Sequence, residues 1–195
     1  MRATTPLAVL ALVMAVPGQS PPRWSPGASI SVWIDRANAP AGASDLVERA
    51  VTTWASAIGT SVGFRPAKAR DGASVRVRFS SSRGLYGETR PRIDPATGAI
   101  VSADVVIATD TGGDDPVTQH IVLYLTALHE LGHALGLRHT DNFADIMYAF
   151  RRPDDGERFF AAYRRRLRTA DEIGSSAASG LSANDRAAVR ELYGQ

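Results

Sequence analysis

The stretch HELGHALGLRH, residues 129–139, constrains this chain more than any other feature, because it holds three of the four histidines. His129 and His133 are four residues apart, and His139 follows six later. On a helix, residues four apart share a face with Cβ atoms about 5–6 Å from each other. Both imidazoles can then aim a ring nitrogen at one ion about 2.0–2.1 Å away, the zinc–nitrogen distance. Glu130 lies one step round the helix, where it reaches a water beside the metal rather than the metal itself. Gly136 can take the left-handed backbone conformation that ends a helix, and the chain then turns back so that His139 approaches from another side.

The expected ligands are therefore His129, His133 and His139. Three neutral protein ligands leave a fourth position open, which marks a catalytic rather than a structural zinc site. Zinc activates water near neutral pH. Glu130 is the expected general base, taking a proton from that water and passing it to a leaving amine, work that typically contributes about 10²–10⁴-fold. His120, outside the motif and near a helix start, reads as structural or merely exposed.

The rest of the sequence bounds the setting. At 195 residues the chain suffices for one domain with its own core and falls short of two. Its net charge of +2 is too small to argue for nucleic acid. Residues 1–20, MRATTPLAVLALVMAVPGQS, place Arg2 before an apolar run from Leu7 to Val16 and then small, turn-forming residues. That order predicts a signal peptide cleaved near Gly18–Ser20, with export outside the cell or to a periplasm. The run is too short for a comfortable membrane span. Cysteine is absent, which excludes a cysteine nucleophile, thiolate ligands and latency held by a metal-blocking cysteine.

Residues 21–28, containing PPRWSPG, read as a linker. Alternation predicts a strand at Ile30–Ile34. Leu46, Val47, Ala50, Val51, Trp54 and Ile58 recur at helical spacing, with Ser44 or Asp45 as cap and Gly59 as stop. SVGFRPA and ASVRVRFSS give two more strands, the second with Arg76 and Arg78 on a wet face. LYGETRPRID and GAIVSADVVIAT flank the turn DPATG as a hairpin, and Pro91 suits only an edge. From Pro116 a helix runs into the histidine motif with Val122, Leu125, Leu128 and Leu135 on an apolar stripe. SSAASG reads as a loop, and LSANDRAAVRELYG is a final helix capped by Ser182, with Val189, Leu192 and Tyr193 inward.

H-E-x-x-H-x-x-G-x-x-H followed by a methionine turn, here ADIMY with Met147, resembles the metzincin signature. Within metzincins the sequence looks like the matrixin branch, the matrix-metalloproteinase-like catalytic domain in a secreted bacterial form. HELGHALGLRHT, DIMY and the ending LSANDRAAVRELYG carry that resemblance, which runs from about Ser29 to Gly194. It implies an α+β fold: a twisted, mostly parallel five-stranded sheet with an antiparallel edge strand, a zinc-binding helix and a C-terminal helix, over 29–195. It also implies a secreted, monomeric zinc endopeptidase whose peptide or protein substrate pairs with the edge strand LYGETRPR, and in which Met147 floors the site. No stable membrane span is expected after processing.

The sequence departs from that pattern in several places. Histidines for a second, structural zinc are missing, so one catalytic zinc is expected. Tyr148 directly follows the methionine, whereas related branches place a metal-facing tyrosine two residues after it, so it is not assigned to the metal. DTGGDD, 110–115, carries carboxylates suited to calcium but lacks EF-hand spacing. Residues 149–180 form an insert where relatives have a short loop shaping the specificity pocket. Phe159, Phe160, Tyr163 and Leu167 would line one side of a helix there and Arg164, Arg165, Arg166 and Arg168 the other, a packed surface element in preference to a contact for an anionic membrane. The competing reading is a non-enzymatic secreted binding module that retains the fold. Glu130 argues against it, because a pure binder has no use for that carboxylate.

Overall fold

The computed structural model describes residues 21–81, 86–110 and 115–194. The expected signal peptide lies outside the described residues, as do residues 111–114 of the DTGGDD stretch. Five strands, β1 (Ser29–Ile34), β2 (Gly63–Pro66), β3 (Val75–Ser80), β4 (Gly87–Ile93) and β5 (Ile100–Ala108), form one sheet in the order β2-β1-β3-β5-β4. Every pairing is parallel except that of β4 with β5. The fold is thus mixed α+β, with an antiparallel edge strand on an otherwise parallel sheet. Parallel neighbours need a crossover, and α1 (Ala43–Ile58) supplies it between β1 and β2. Pro91, which has no N–H to give, sits on the edge strand β4 opposite Ala103.

Leu46, Val47, Ala50, Trp54 and Ile58 of α1 are buried as their spacing predicts, and Val51 is half-buried. The helix begins one residue before the expected cap: Gly42 turns the chain at φ +75°, and no side chain caps the start. Ser44 and Asp45 fall inside the first turn. Gly59 does end the helix, at φ +72°.

Helix α2 (Pro116–Ala134) starts cleanly. The Asp115 carboxylate accepts from the Thr118 amide at 3.1 Å and its hydroxyl at 2.6 Å, and Pro116 supplies the first turn. Every residue from Ile121 to Gly132 is buried. An apolar stripe alone was expected, but this helix is enclosed on all sides, touching α1, β4, β5 and the later helix α3 (Asp155–Arg164). Trp54 closes the α1–α2 seam and donates its indole N–H to the Leu128 carbonyl at 2.8 Å. Large side chains buried to this degree contribute about 1.5–3 kcal/mol each.

Residues 21–28 are not a free linker. Trp24 is buried and donates from Nε1 to the Ala134 carbonyl at 2.9 Å. The Arg23 carbonyl accepts from the Ile100 amide at 2.9 Å, and the Arg23 guanidinium reaches the Leu192 carbonyl at 2.6 Å. The Pro and Gly content of the stretch suggests looseness, yet one indole with an apolar seat and a carbonyl to bond is enough to dock it.

The 149–180 segment folds as α3 followed by single turns at Ala170–Glu172 and Ser176–Ala178, the second lying within the expected SSAASG loop. Phe159, Phe160 and Tyr163 are buried and Leu167 is half-buried, so the apolar side packs inward, while Arg164, Arg165, Arg166 and Arg168 stay exposed. Helix α4 (Ala183–Tyr193) carries a full capping box between Ser182 and Asp185, with Val189, Leu192 and Tyr193 buried. Arg76, expected on a wet sheet face, is instead half-buried and grips Asp104 through two bonds of 2.7 and 2.9 Å. No described helix is long and apolar enough to cross a membrane.

Candidate metal centre

His129 and His133 project from the last turns of α2, and His139 returns after the chain reverses at Gly136, which takes φ +98°. The three side chains meet. Nε2 of His139 lies 3.2 Å from Nε2 of His129 and 3.1 Å from Nε2 of His133. Two nitrogens bound to one tetrahedral zinc at about 2.0–2.1 Å stand about 3.4 Å apart, so both separations suit a shared ion, and all three donor atoms lie within 4.8 Å of one another. These histidines form a group that could hold a metal among the described residues.

The tautomers agree with that role. His129 Nδ1 donates to the Ile146 carbonyl at 2.6 Å, and His133 Nδ1 donates to the Leu137 carbonyl at 2.9 Å. With the proton on Nδ1, each Nε2 keeps a free lone pair for a metal. Burial and the neighbouring His133 press His129 down to about 3, and the same causes, with Arg151, press His139 to about 4. Burial lowers His133 as well. The cluster is therefore neutral, and ready to ligate, across the ordinary pH range.

Glu130 is buried beside the histidines, and its Oε2 accepts from the Thr89 hydroxyl at 2.7 Å. Burial raises its carboxyl to about 7, against the opposing effect of the Thr89 bond. Gly87 explains part of that enclosure. A Cβ at Gly87 would stand 2.6 Å from Glu130 Cγ, so only glycine lets the edge strand lie this close. Neither Thr89 nor Gly87 is recognisable from the helix motif, because both sit on β4.

The floor of the site is built from the turn after His139. The Thr140 amide donates to the Met147 carbonyl at 2.8 Å and the Ala149 amide to the Thr140 carbonyl at 3.0 Å, which ties the loop bearing His139 to the methionine turn. Met147 is buried against Gly132, where a Cβ would collide with its sulfur. The glycine inside HELGH is thus a seat for methionine. Tyr148 donates its hydroxyl to Asp155 at 3.0 Å.

Two carboxylates are buried beneath this turn. Asp145 accepts from Thr140, Asn142, Ser182 and Asn184. Asp185 accepts from the amides of Ile146, Met147 and Ser182. Both clamp the methionine turn to the start of α4. Asp115, the one fully described carboxylate at the end of the DTGGDD stretch, is engaged by Thr118 and by Arg164 at 3.0 Å.

A mostly parallel sheet with an antiparallel edge, beside a helix carrying two of three converging histidines over a methionine turn, defines a metzincin-type metallopeptidase. The matrixin family model matches residues 31–163, more than half of the sequence, and the chain belongs to that family. Among curated proteins no relative matches. Matrixins use zinc and are metallopeptidases, so protein substrates follow from the family.

Proposed function

We propose that this chain is an exported zinc metalloendopeptidase with one catalytic ion held by His129, His133 and His139. The observation that carries the reading is the convergence of three histidines, with His139 Nε2 3.1–3.2 Å from Nε2 of the other two, and a buried carboxylate one residue away. Zinc supplies a Lewis acid that activates water toward a peptide carbonyl. Glu130 supplies the proton transfer. Its carboxylate, held at Oε2 by Thr89, takes the proton from the attacking water and returns it to the departing amine nitrogen.

The substrate lies extended along the free edge of β4 and pairs with its backbone, next to Gly87 and Thr89 where the strand touches Glu130. Residues 1–20 direct export and are removed, and 29–195 form the catalytic domain. Docking of Trp24 supports extending that domain back to about residue 22.

Hydrolysis of a mixed fluorogenic peptide library tests the reading. Cleavage should occur with zinc, stop with a chelator and return when zinc is restored. Zinc-loaded, folded protein that leaves the library intact would refute it and leave a binding module.

A further inference from the structure

Tyr86 is one of two large hydrophobic residues that are exposed among those described, at 42%. It stands immediately before β4, and its carbonyl accepts from the Ala108 amide at 2.7 Å, so its backbone is already fixed to the sheet. Its ring is fixed as well. Phe160 of α3 packs edge-on against it, with centroids 5.1 Å apart and planes at 87°. Gly156, also on α3, leaves the seat beneath it, since a Cβ there would stand 2.9 Å from the Tyr86 ring. Phe150 continues the aromatic wall, 6.4 Å from Phe160 and 5.9 Å from the His129 ring.

An exposed aromatic ring held rigid from below is well suited to binding, because it offers apolar area at little cost in side-chain entropy. Its position is specific. The next residue, Gly87, is the one pressed against Glu130. A peptide paired along β4 therefore carries a residue adjoining the scissile bond past Tyr86.

We propose that Tyr86, propped by Phe160 and seated on Gly156, determines specificity by contacting a large apolar or aromatic substrate side chain next to the scissile bond. The insert helix α3 is what holds the ring in place. This inference rests on the peptidase reading above and adds the residue of this chain that reads the side chain beside the scissile bond.

The test compares wild type, Tyr86→Ala, Tyr86→Phe and Gly156→Ala on peptides differing only at positions adjoining the cleaved bond, with Phe, Leu or Gly there. Zinc content and circular dichroism confirm that each variant is folded. Tyr86→Ala should lose about tenfold in kcat/KM on the Phe and Leu peptides at one position, and less than about twofold on the Gly peptide. Tyr86→Phe should keep the preference, and Gly156→Ala should weaken it by displacing the ring from a distance. A uniform loss across all peptides, or no loss, overturns the proposal. A second arm measures binding of the same peptides by fluorescence anisotropy to zinc-loaded Glu130→Gln protein with and without Tyr86→Ala. If wild type cleaves nothing, a selective loss of Phe-peptide binding upholds the Tyr86 contact while the peptidase reading fails. Equal binding to both proteins overturns the contact itself.

Discussion

His129 and Ile146 are joined by a 2.6 Å hydrogen bond from the imidazole Nδ1 to the backbone carbonyl, across seventeen residues of chain. The amide of Ile146 in turn donates to Asp185 at 2.9 Å. A carboxylate on α4 thereby helps to fix the orientation of the His129 ring through the backbone of Ile146. Asp185→Asn keeps the volume but turns an N–H₂ toward backbone amides that need acceptors. We expect zinc affinity to fall about 10–100-fold and stability by about 1.5–3 kcal/mol. Chelator competition and denaturant unfolding measure the two, and unchanged zinc affinity would remove Asp185 from the site's support.

Glu130→Gln keeps the side chain's shape and can still accept the Thr89 bond, yet it cannot take a proton. Peptide cleavage should drop by at least about 10²-fold while zinc content and melting temperature stay near wild type. His133→Ala should instead lose the metal. Loss of zinc from Glu130→Gln would show that the carboxylate holds the site together rather than serving the reaction.

Gly136→Ala meets two obstacles. The backbone is at φ +98°, and the new Cβ would collide with the Pro22 carbonyl oxygen. Strain of this kind costs about 1–3 kcal/mol, and relieving it would push out the N-terminal strap or swing His139. The variant should melt earlier and bind zinc less tightly. A melting temperature equal to wild type would mean that the strap gives way freely.

The metal-free protein should lose stability in acid. The folded histidines sit below their ordinary value, His129 at about 3 and His139 at about 4, because burial resists their charge. The unfolded chain takes up protons as pH falls through about 6.5, and the folded site does not, so stability drops from there toward about pH 4. Glu130 works in the opposite sense. With its folded value raised to about 7, its contribution is complete below about 4.5 and is lost as pH rises through 7. Three histidines outnumber one glutamate, so the denaturant midpoint of chelator-treated protein should rise between about pH 4.5 and 6.5 and level off near 7. A midpoint that climbs steadily toward acid would contradict these directions.

Much of the fold was legible because its signals are local. Gly59, Pro116, Ser182 and Gly136 act within one turn of chain, and the alternation of Val75 and Val77 or the spacing of Leu46, Ala50 and Trp54 needs only its own element. The histidine spacing likewise announced a common focus. What escaped was set by distant partners. Thr89 meets Glu130 across 41 residues and Trp24 meets Ala134 across 110, and neither pairing leaves a period or a spacing to read. Helix α2 misled for a related reason: a stripe is visible in sequence, but enclosure on every side depends on α3, whose packing no pattern within α2 reports. Gly132 and Gly87 looked unremarkable until the atoms opposite them, Met147 sulfur and Glu130 Cγ, were known.

The docking of Trp24 means that the described chain closes on itself. Arg23 holds the Leu192 carbonyl, the Trp24 amide approaches the Tyr193 hydroxyl at 3.4 Å, and that hydroxyl caps the Leu135 carbonyl at 2.8 Å. Ends of a domain are ordinarily the first parts to fray, and they do so privately. Here both ends are clasped at the joint where α2 gives way to the turn bearing His139. Fraying at either one therefore loosens the other and reaches the loop that bears His139, so the amides of residues 23–24, 135–137 and 192–193 should exchange with solvent as a single cooperative unit.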